Sequence, residues 1–285
     1  MGEFADLLSY ADRRVVVTGC ASGIGAALVG QLSELGAEVT GLDLRPAEAG
    51  LTDFHSVDLS DPASIDGAVA SMGGRVDSLF NVAGVSSGIG DPLRVVKIDF
   101  LGTRHLTEAL TPKMPSGSSI VSVSSLAAAN YLENQVETAG LLNTRTFADG
   151  VQWCHDHPDA LADGGYRLAK EAIVLYCMRS AVALGSRGIR INCTGPGVTE
   201  TPILDQLRTK YGQDYLDGIL KPLGRVSNPA EQAAALVFLN SAAAGYVTGQ
   251  VLWVDGGNLA SRVAANLEGS ASGRAKRREE PSWPV

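Results

Sequence analysis

Short runs of apolar residues recur along the chain, and between them lie longer stretches in which apolar positions return every three or four residues. Arg14 to Thr18 reads R-V-V-V-T, a continuous β-branched run of the kind found where a strand is buried on both faces. Runs of the same character follow at about 37–42, 54–57, 76–82, 119–123, 189–193 and 250–254. After the first run, Leu28, Gln31, Leu32 and Leu35 fall at helical spacing, and Gly36 stops that helix. Asp61-Pro62 opens a second helix with an acidic cap and a proline in its first turn. Further helical stretches cover about 94–110, 166–184 and 229–239. Repeated βαβ units predict one α/β domain over residues 12–258, a doubly wound and mainly parallel sheet of seven strands. In such a sheet the ligand crevice lies at the carboxyl ends of the strands.

Two stretches interrupt this repeat. Residues 126–165 form a long acidic insertion before the helix at 166–184, and the pattern from Val136 to Trp153 predicts that it is helical. Residues 261–285 form a tail rich in Ala, Ser, Gly and Arg, with Arg274, Lys276, Arg277 and Arg278 close together, which reads as a solvated terminus. Residues 202–221 carry Ile203, Leu204, Leu207, Tyr211, Tyr215, Ile219 and Leu220 just after the sixth strand and are expected to cover the crevice.

Charge narrows the partners. The formal net charge of -8 argues against broad attraction to nucleic acid or to an anionic membrane. No apolar run approaches the length of a spanning helix, and the first residues lack a basic-then-apolar layout, so the cytoplasm is the default expectation. Cys20, Cys154, Cys177 and Cys193 have neither metal-knuckle nor redox spacing and read as reduced thiols. Cys154-His155-Asp156-His157 resembles a metal cluster only in composition, because adjacent residues point in different directions; it reads as a solvated helix end.

The candidate chemistry starts at the first turn. Thr18-Gly19-Cys20-Ala21-Ser22-Gly23-Ile24-Gly25 joins a strand to a helix. Glycines there let the backbone approach a pyrophosphate, while the helix N-terminus offers free N–H groups and partial positive charge. Gly19, Ser22, Gly23, Ile24 and Gly25 are therefore candidate dinucleotide contacts within a Rossmann arrangement. Asp43 ends the second strand, where a carboxylate accepts from both hydroxyls of the adenine ribose and repels a 2′-phosphate. Ser22 supplies no charge to attract such a phosphate, so NAD is the expected cofactor in place of NADP. Arg45, two residues past Asp43, is the one nearby cation.

Tyr166 and Lys170 stand at i and i+4, on one face of a helix. Moving a hydride to or from a carbinol carbon requires a group that moves the hydroxyl proton. Free tyrosine, with a pKa of about 10, does so poorly, and an ammonium one turn away stabilises its phenolate. Other strand ends add to the same edge. Ser124-Ser125 ends the fifth strand, and Asn81-Val82-Ala83-Gly84 ends the fourth with small residues past which a cofactor can run. Pro196-Gly197-Val198-Thr199-Glu200-Thr201 follows the sixth strand, where a nicotinamide carboxamide would lie.

Together these motifs resemble the short-chain dehydrogenase/reductase family over about residues 12–258. The resemblance implies Tyr166 as acid/base, Lys170 as its partner and ribose ligand, and Ser125 as the group that orients the substrate oxygen, with Ser124 structural. It also implies adenine contacts at Asp58 and Leu59, and nicotinamide or phosphate contacts at Pro196, Thr199 and Thr201, alongside Asn81, Ala83 and Gly84. Where the family usually has an asparagine, Ile98-Asp99-Phe100-Leu101-Gly102 places Asp99. The resemblance implies Asp99 as the fourth catalytic position, its backbone carbonyl serving a water near Lys170, so that the side chain matters less than those of the other three. An effect of the carboxylate on Lys170 is the alternative. The insertion with Trp153 is similar to that of the subgroup containing bacterial 3α-hydroxysteroid dehydrogenase/carbonyl reductase and coniferyl-alcohol dehydrogenase.

The reaction expected is oxidoreduction of a bulky, mostly apolar alcohol or ketone, such as a steroid, a terpene or an aromatic alcohol. An NAD-binding regulator or scaffold without turnover is the alternative, weakened by the presence of the Ser, Tyr and Lys together. An epimerase or dehydratase with transient hydride transfer shares the fold, but the G-x-x-x-G-x-G spacing fits the simple reductases better. In the family the two long helices, here about 94–110 and 166–184, often meet their copies in a tetramer. The insertion is expected to cover that surface and leave a homodimer through the last strand and the helix at 229–239. If it only shapes the substrate cleft, the tetramer remains.

Overall fold

The computed structural model describes residues 6–47 and 50–271. Seven strands, β1 (Arg14–Thr18), β2 (Glu38–Asp43), β3 (Asp53–Ser56), β4 (Ser78–Asn81), β5 (Ser119–Val123), β6 (Arg190–Pro196) and β7 (Val251–Val254), pair in the order β3-β2-β1-β4-β5-β6-β7. Among the described residues every pairing is parallel. Alternate side chains of one strand enter two separate cores. Val15 and Val17 of β1 pack with Phe80 and Val121 on one face, while Val16 packs with Leu79 and Ile120 on the other. This is the arrangement that continuous apolar runs predict.

Helices α1 (Gly23–Glu34) and α9 (Pro229–Asn240) cover the first face through Leu28, Val29 and Leu32, and through Ala233, Leu236 and Val237. The other face carries α2 (Pro62–Ser71), α3 (residues 92–110) and α6 (Tyr166–Gly185). Local signals fix where they start. Asp61 accepts from Ala63 N at 2.9 Å ahead of Pro62, and Asn228 forms a reciprocal cap with Glu231 ahead of Pro229. Helix α3 is one rod of three parts, Pro92–Val96, a π-helical turn at Lys97–Gly102, and Thr103–Leu110. The periodicity of the sequence does not mark that wide turn, which carries Asp99.

The insertion folds into α4 (Gln135–Leu142) and α5 (Phe147–Asp156), the latter opened by a reciprocal cap between Thr146 and Asp149. It joins the core on the α3/α6 side. Leu141, Leu142 and Phe147 are buried in one cluster with Phe100, Leu101 and Ile173. Cys154 belongs to that cluster as well, so the helix end predicted to be solvated is anchored by its cysteine, while His157 stacks on Trp153 with ring centroids 4.4 Å apart. Arg104, only 2% exposed, donates to the carbonyls of Thr144 at 2.9 Å and Thr146 at 3.1 Å, the link between α4 and α5.

Two short helices, α7 (Pro202–Tyr211) and α8 (Gln213–Gly218), follow β6, and α10 (Asn258–Ala271) follows β7. The first part of the supposed solvated tail is thus helical, a continuation that begins at Asn258, whose Nδ2 donates to Leu220 O at 2.6 Å. The basic residues from Arg274 onward lie outside the described residues. Among the described residues, no helix is long and apolar enough to cross a membrane, and no group of three His, Cys, Asp or Glu side chains is placed to hold a metal ion.

Arg104→Ala would leave two part-buried carbonyls without their charged donor and remove the packing of the arginine on the Phe100 ring, 5.3 Å away. A loss of about 2–4 kcal/mol in unfolding free energy is expected by urea denaturation. Wild-type stability in that variant would show that the insertion is held by its apolar contacts alone.

Candidate active site

The strand order turns back at β1, which lies between β2 and β4, and the crevice opens there at the carboxyl ends. It has a volume of about 380 Å³ and is walled mostly by apolar groups. Gly19 has φ +70°, and a Cβ added to it would stand 2.7 Å from Ala83 Cα. One added to Gly25 would stand 2.0 Å from the Gly19 carbonyl oxygen. Only glycine allows the turn to close on β4 and α1 to close on the turn. Ser22 caps α1 in an extended conformation with no side-chain bond to the helix, and the first turn of α1 holds no acidic residue. These N–H groups and the helix dipole are suited to a pyrophosphate.

At one end of the crevice, both oxygens of Asp43 are held by backbone donors, Oδ2 by Ala21 N at 3.1 Å and Oδ1 by Arg45 N at 3.2 Å. Asp58 accepts from Ser60 Oγ at 2.6 Å and Ser60 N at 2.8 Å, and the Ser60 hydroxyl holds its carboxyl below the usual carboxylate range despite some burial. Leu59, Ile24, Gly23, Ala83 and Gly84 line the walls between these acids and the far end. Pro196, Thr199 and Thr201 line the crevice where β6 runs into α7. Thr199 Oγ1 is paired with Ser227 Oγ at 2.8 Å, and Thr201 caps α7.

Asn81 is the exception among the expected cofactor contacts. Its side chain is buried and donates to Thr107 Oγ1 at 2.9 Å and Ser122 Oγ at 3.1 Å, tying α3 to β5. The Asn81 side chain thus points into the helix layer, and Ala83 and Gly84 line the crevice at this strand end.

At the other end stand Ser125, Tyr166 and Lys170. Tyr166 is the first residue of α6, after Gly165 at φ +73°. Lys170 Nζ lies 5.5 Å from the centre of the Tyr166 ring and donates to Val123 O at 3.2 Å. Ser125 Oγ accepts from Ala127 N at 3.2 Å, opening a short turn, whereas Ser124 Oγ donates to the Lys170 carbonyl at 2.7 Å. Both serines line the crevice, but the Ser124 hydroxyl is committed to α6 through the Lys170 carbonyl.

The side chain of Asp99 is turned to the lysine, with Oδ2 3.1 Å from Nζ and Oδ1 accepting from Val85 N at 2.8 Å. Burial pushes the Asp99 carboxyl up, against the pull of Lys170 and the Val85 N–H. Burial also works against the lysine ammonium, but Asp99 and Tyr166 more than offset it and its pKa stands above the ordinary lysine value.

Some of the lining was not marked by any motif. Val85, Leu126, Gln206 and Leu216 reach the crevice from three separate segments. The cover made by α7 rests on the loop after β4 through Ser86 Oγ to Gln206 Oε1 at 3.0 Å, Ser87 Oγ with Tyr211 Oη at 3.0 Å, and Lys210 Nζ to Ser87 O at 2.9 Å. Hydroxyl pairs from distant segments leave no periodic signal; the small-residue run Ser86-Ser87-Gly88 after a strand end is the sole trace of them.

Comparison with known proteins agrees with this geometry. A family model described as short chain dehydrogenase matches residues 13–137, and one described as Enoyl-(Acyl carrier protein) reductase matches residues 160–258. The coniferyl-alcohol dehydrogenase of a Pseudomonas species is 33% identical over 90% of this chain and 100% of its own length. The 3-alpha-hydroxysteroid dehydrogenase/carbonyl reductase of Comamonas testosteroni is 30% identical over 85% of this chain and 95% of its own. Among solved structures, a 3-alpha-hydroxysteroid dehydrogenase from a Pseudomonas species, complexed with NADH, superposes with a TM-score of 0.76 at 31% identity, covering 88% of this chain and 98% of that one. With the glycine turn, the Ser–Tyr–Lys edge and relatives matched along nearly their full lengths, the chain belongs to the short-chain dehydrogenase/reductase family of oxidoreductases.

Proposed function

We propose that the protein is an NAD-dependent alcohol dehydrogenase or ketone reductase acting on a bulky, mostly apolar substrate. The observation that carries this reading is the meeting of Ser125, Tyr166 and Lys170 at one end of a crevice whose other end holds Asp43. Nicotinamide, when bound, supplies or accepts the hydride. Tyr166 then gives or takes the hydroxyl proton at its Oη, Ser125 Oγ holds the substrate oxygen, and Lys170 stabilises the phenolate by its charge. The walls beside them, Val85, Leu126, Ile203, Leu207, Leu216 and Ile219, are apolar and favour a hydrocarbon body. The alcohol and steroid relatives named above support the same class.

NAD use is supported by Asp43 and by the relative that binds NADH. We infer a homodimer as well. The insertion lies over α3 and α6, whereas Phe238 on α9 and Leu252 on β7 remain 42% and 37% exposed. A symmetric contact through α9 and β7 would bury both.

A screen of steroid, terpene and phenylpropanoid alcohols, followed by the appearance of NADH, tests the reaction. In the variant Tyr166→Phe, turnover on the best alcohol should fall by ~10²–10⁴-fold with NADH binding nearly unchanged. Near-wild-type turnover would remove the mechanism. Asp43→Ala should weaken NAD and relieve the repulsion of NADP, moving the ratio of kcat/KM values toward NADP from both sides. Equal use of the two cofactors by the wild type would contradict the role given to this carboxylate. Light scattering should give the mass of a dimer, and Phe238→Asp should shift it toward the monomer; a wild-type tetramer would rule out the covering role of the insertion.

A further inference from the structure

Asp99 has no exposed surface, and its two oxygens meet two donors, the Val85 N–H and the Lys170 ammonium. Among the described residues, Oδ2 has no hydrogen-bonding partner apart from that ammonium. Lys170 is itself only 4% exposed. An ammonium has three N–H groups. Those directed to Asp99 and to the Val123 carbonyl leave one for the crevice that the lysine lines.

We propose that Asp99 is a positioning residue, the buried counter-ion that keeps the Lys170 ammonium charged and its free N–H aimed at the cofactor. A carboxylate is acceptor-only and satisfies both donors at once. A carboxamide in the same place has one accepting and one donating end, so in either orientation its NH₂ would face the Val85 N–H or the ammonium. Asparagine, usual here in the family, cannot simply replace aspartate in this setting.

The charged and titratable groups facing Lys170 are Asp99 from α3 and Tyr166 from its own helix. The segments after β4 and at the end of β5 contribute the neutral Val85 N–H, which bonds Asp99, and the Val123 carbonyl, and Tyr166 in turn bears on Tyr215 of α8. Without Asp99, burial is left as the dominant influence and favours the uncharged amine. Lys170 would then lose its proton as pH rises, through a range in which the wild type keeps it.

The inference rests on the dehydrogenase reading, but its main test needs no substrate. NADH binding is followed by nicotinamide fluorescence from neutral to alkaline pH in the wild type, Asp99→Asn, Asp99→Ser and Asp99→Glu. Affinity in the Asn and Ser variants should fall with rising pH where the wild type is flat, and Glu, which keeps the charge, should remove that fall. Turnover of Asp99→Asn at neutral pH should drop on the order of 10²-fold, as expected for a displaced catalytic partner. The Ser variant carries the test should the Asn variant not fold. A wild-type pH dependence of NADH binding in both neutral variants overturns the proposal, whether or not turnover is lost. Full turnover in Tyr166→Phe would instead overturn the dehydrogenase reading and leave the binding test standing.

Discussion

Thr18, the last residue of β1, accepts hydrogen bonds from Val82 N at 2.9 Å and Ala83 N at 3.0 Å. These bonds bend the end of β4 toward the glycine turn, and the rest of the crevice depends on that join. With the join in place, the turn after β1 and the wall after β4 stand at contact distance, which is why Gly19 and Ala83 leave no room for a larger neighbour. The floor of the site is therefore backbone. Backbone is what a long, charged dinucleotide needs to run against, because it supplies N–H donors without side chains in the way. The same join sets the height of Gly84 against Lys170 and Asp99, since a Cβ on Gly84 would stand 3.2 Å from Nζ and 3.3 Å from Oδ2.

Much of this was legible in the sequence because it depends on local chemistry. A strand buried on both faces reads as a short apolar run, as β1 and β5 do. Seven short runs rich in apolar residues mark the seven strands, even where β3 and β7 are only partly buried. Gly19, Gly25, Asp43, Tyr166 and Lys170 sit at element ends, where residue type alone limits what can be built. What stayed hidden depends on side-chain direction and on contacts between distant segments. Asn81 looks like part of the wall until Thr107 and Ser122 are seen to claim its amide. That the start of the tail is helical is not marked by its small residues; Asn258 bonds Leu220, and an exposed helix runs on from there. At Asp99 the residue and an influence on Lys170 were legible, but the direct contact of its carboxylate with the ammonium was not, because the wide turn of α3 leaves no mark in the spacing.

The insertion explains a second set of buried charges. Arg167 and Glu171 follow Tyr166 and Lys170 by one residue each, so they form their own i, i+4 pair about 100° around α6. Glu171 is fully buried and takes Asn134 Nδ2 at 2.7 Å, Thr138 Oγ1 at 3.1 Å and Arg167 NH1 at 2.9 Å. Arg167 continues to Asp163 at 2.5 Å and to Glu137 at 3.1 Å. Burial pushes the Glu171 carboxyl up, and these donors oppose it. A carboxylate without them would be costly at zero exposure, and all but Arg167 come from the insertion. The acidic segment is thus required by the helix it covers.

Helix α6 is consequently gripped on two faces. One face presents Tyr166 and Lys170 to the crevice, with Lys170 held by Asp99 and Val123; the neighbouring face presents Arg167 and Glu171 to α4. Rolling the helix about its axis would break both sets together, and each set includes a charge that cannot be left alone in the interior. Apolar packing by Leu168, Ile173 and Tyr176 fills the space but tolerates small rotations, since one methyl can replace another. Fixed donors and acceptors do not tolerate them. Ser124, bonded to the Lys170 carbonyl, adds a tie to β5 at the same turn. The rotational setting of the first two turns of α6, and with it the place of Tyr166 in the crevice, is in this way fixed by polar pairs, several of which the insertion supplies.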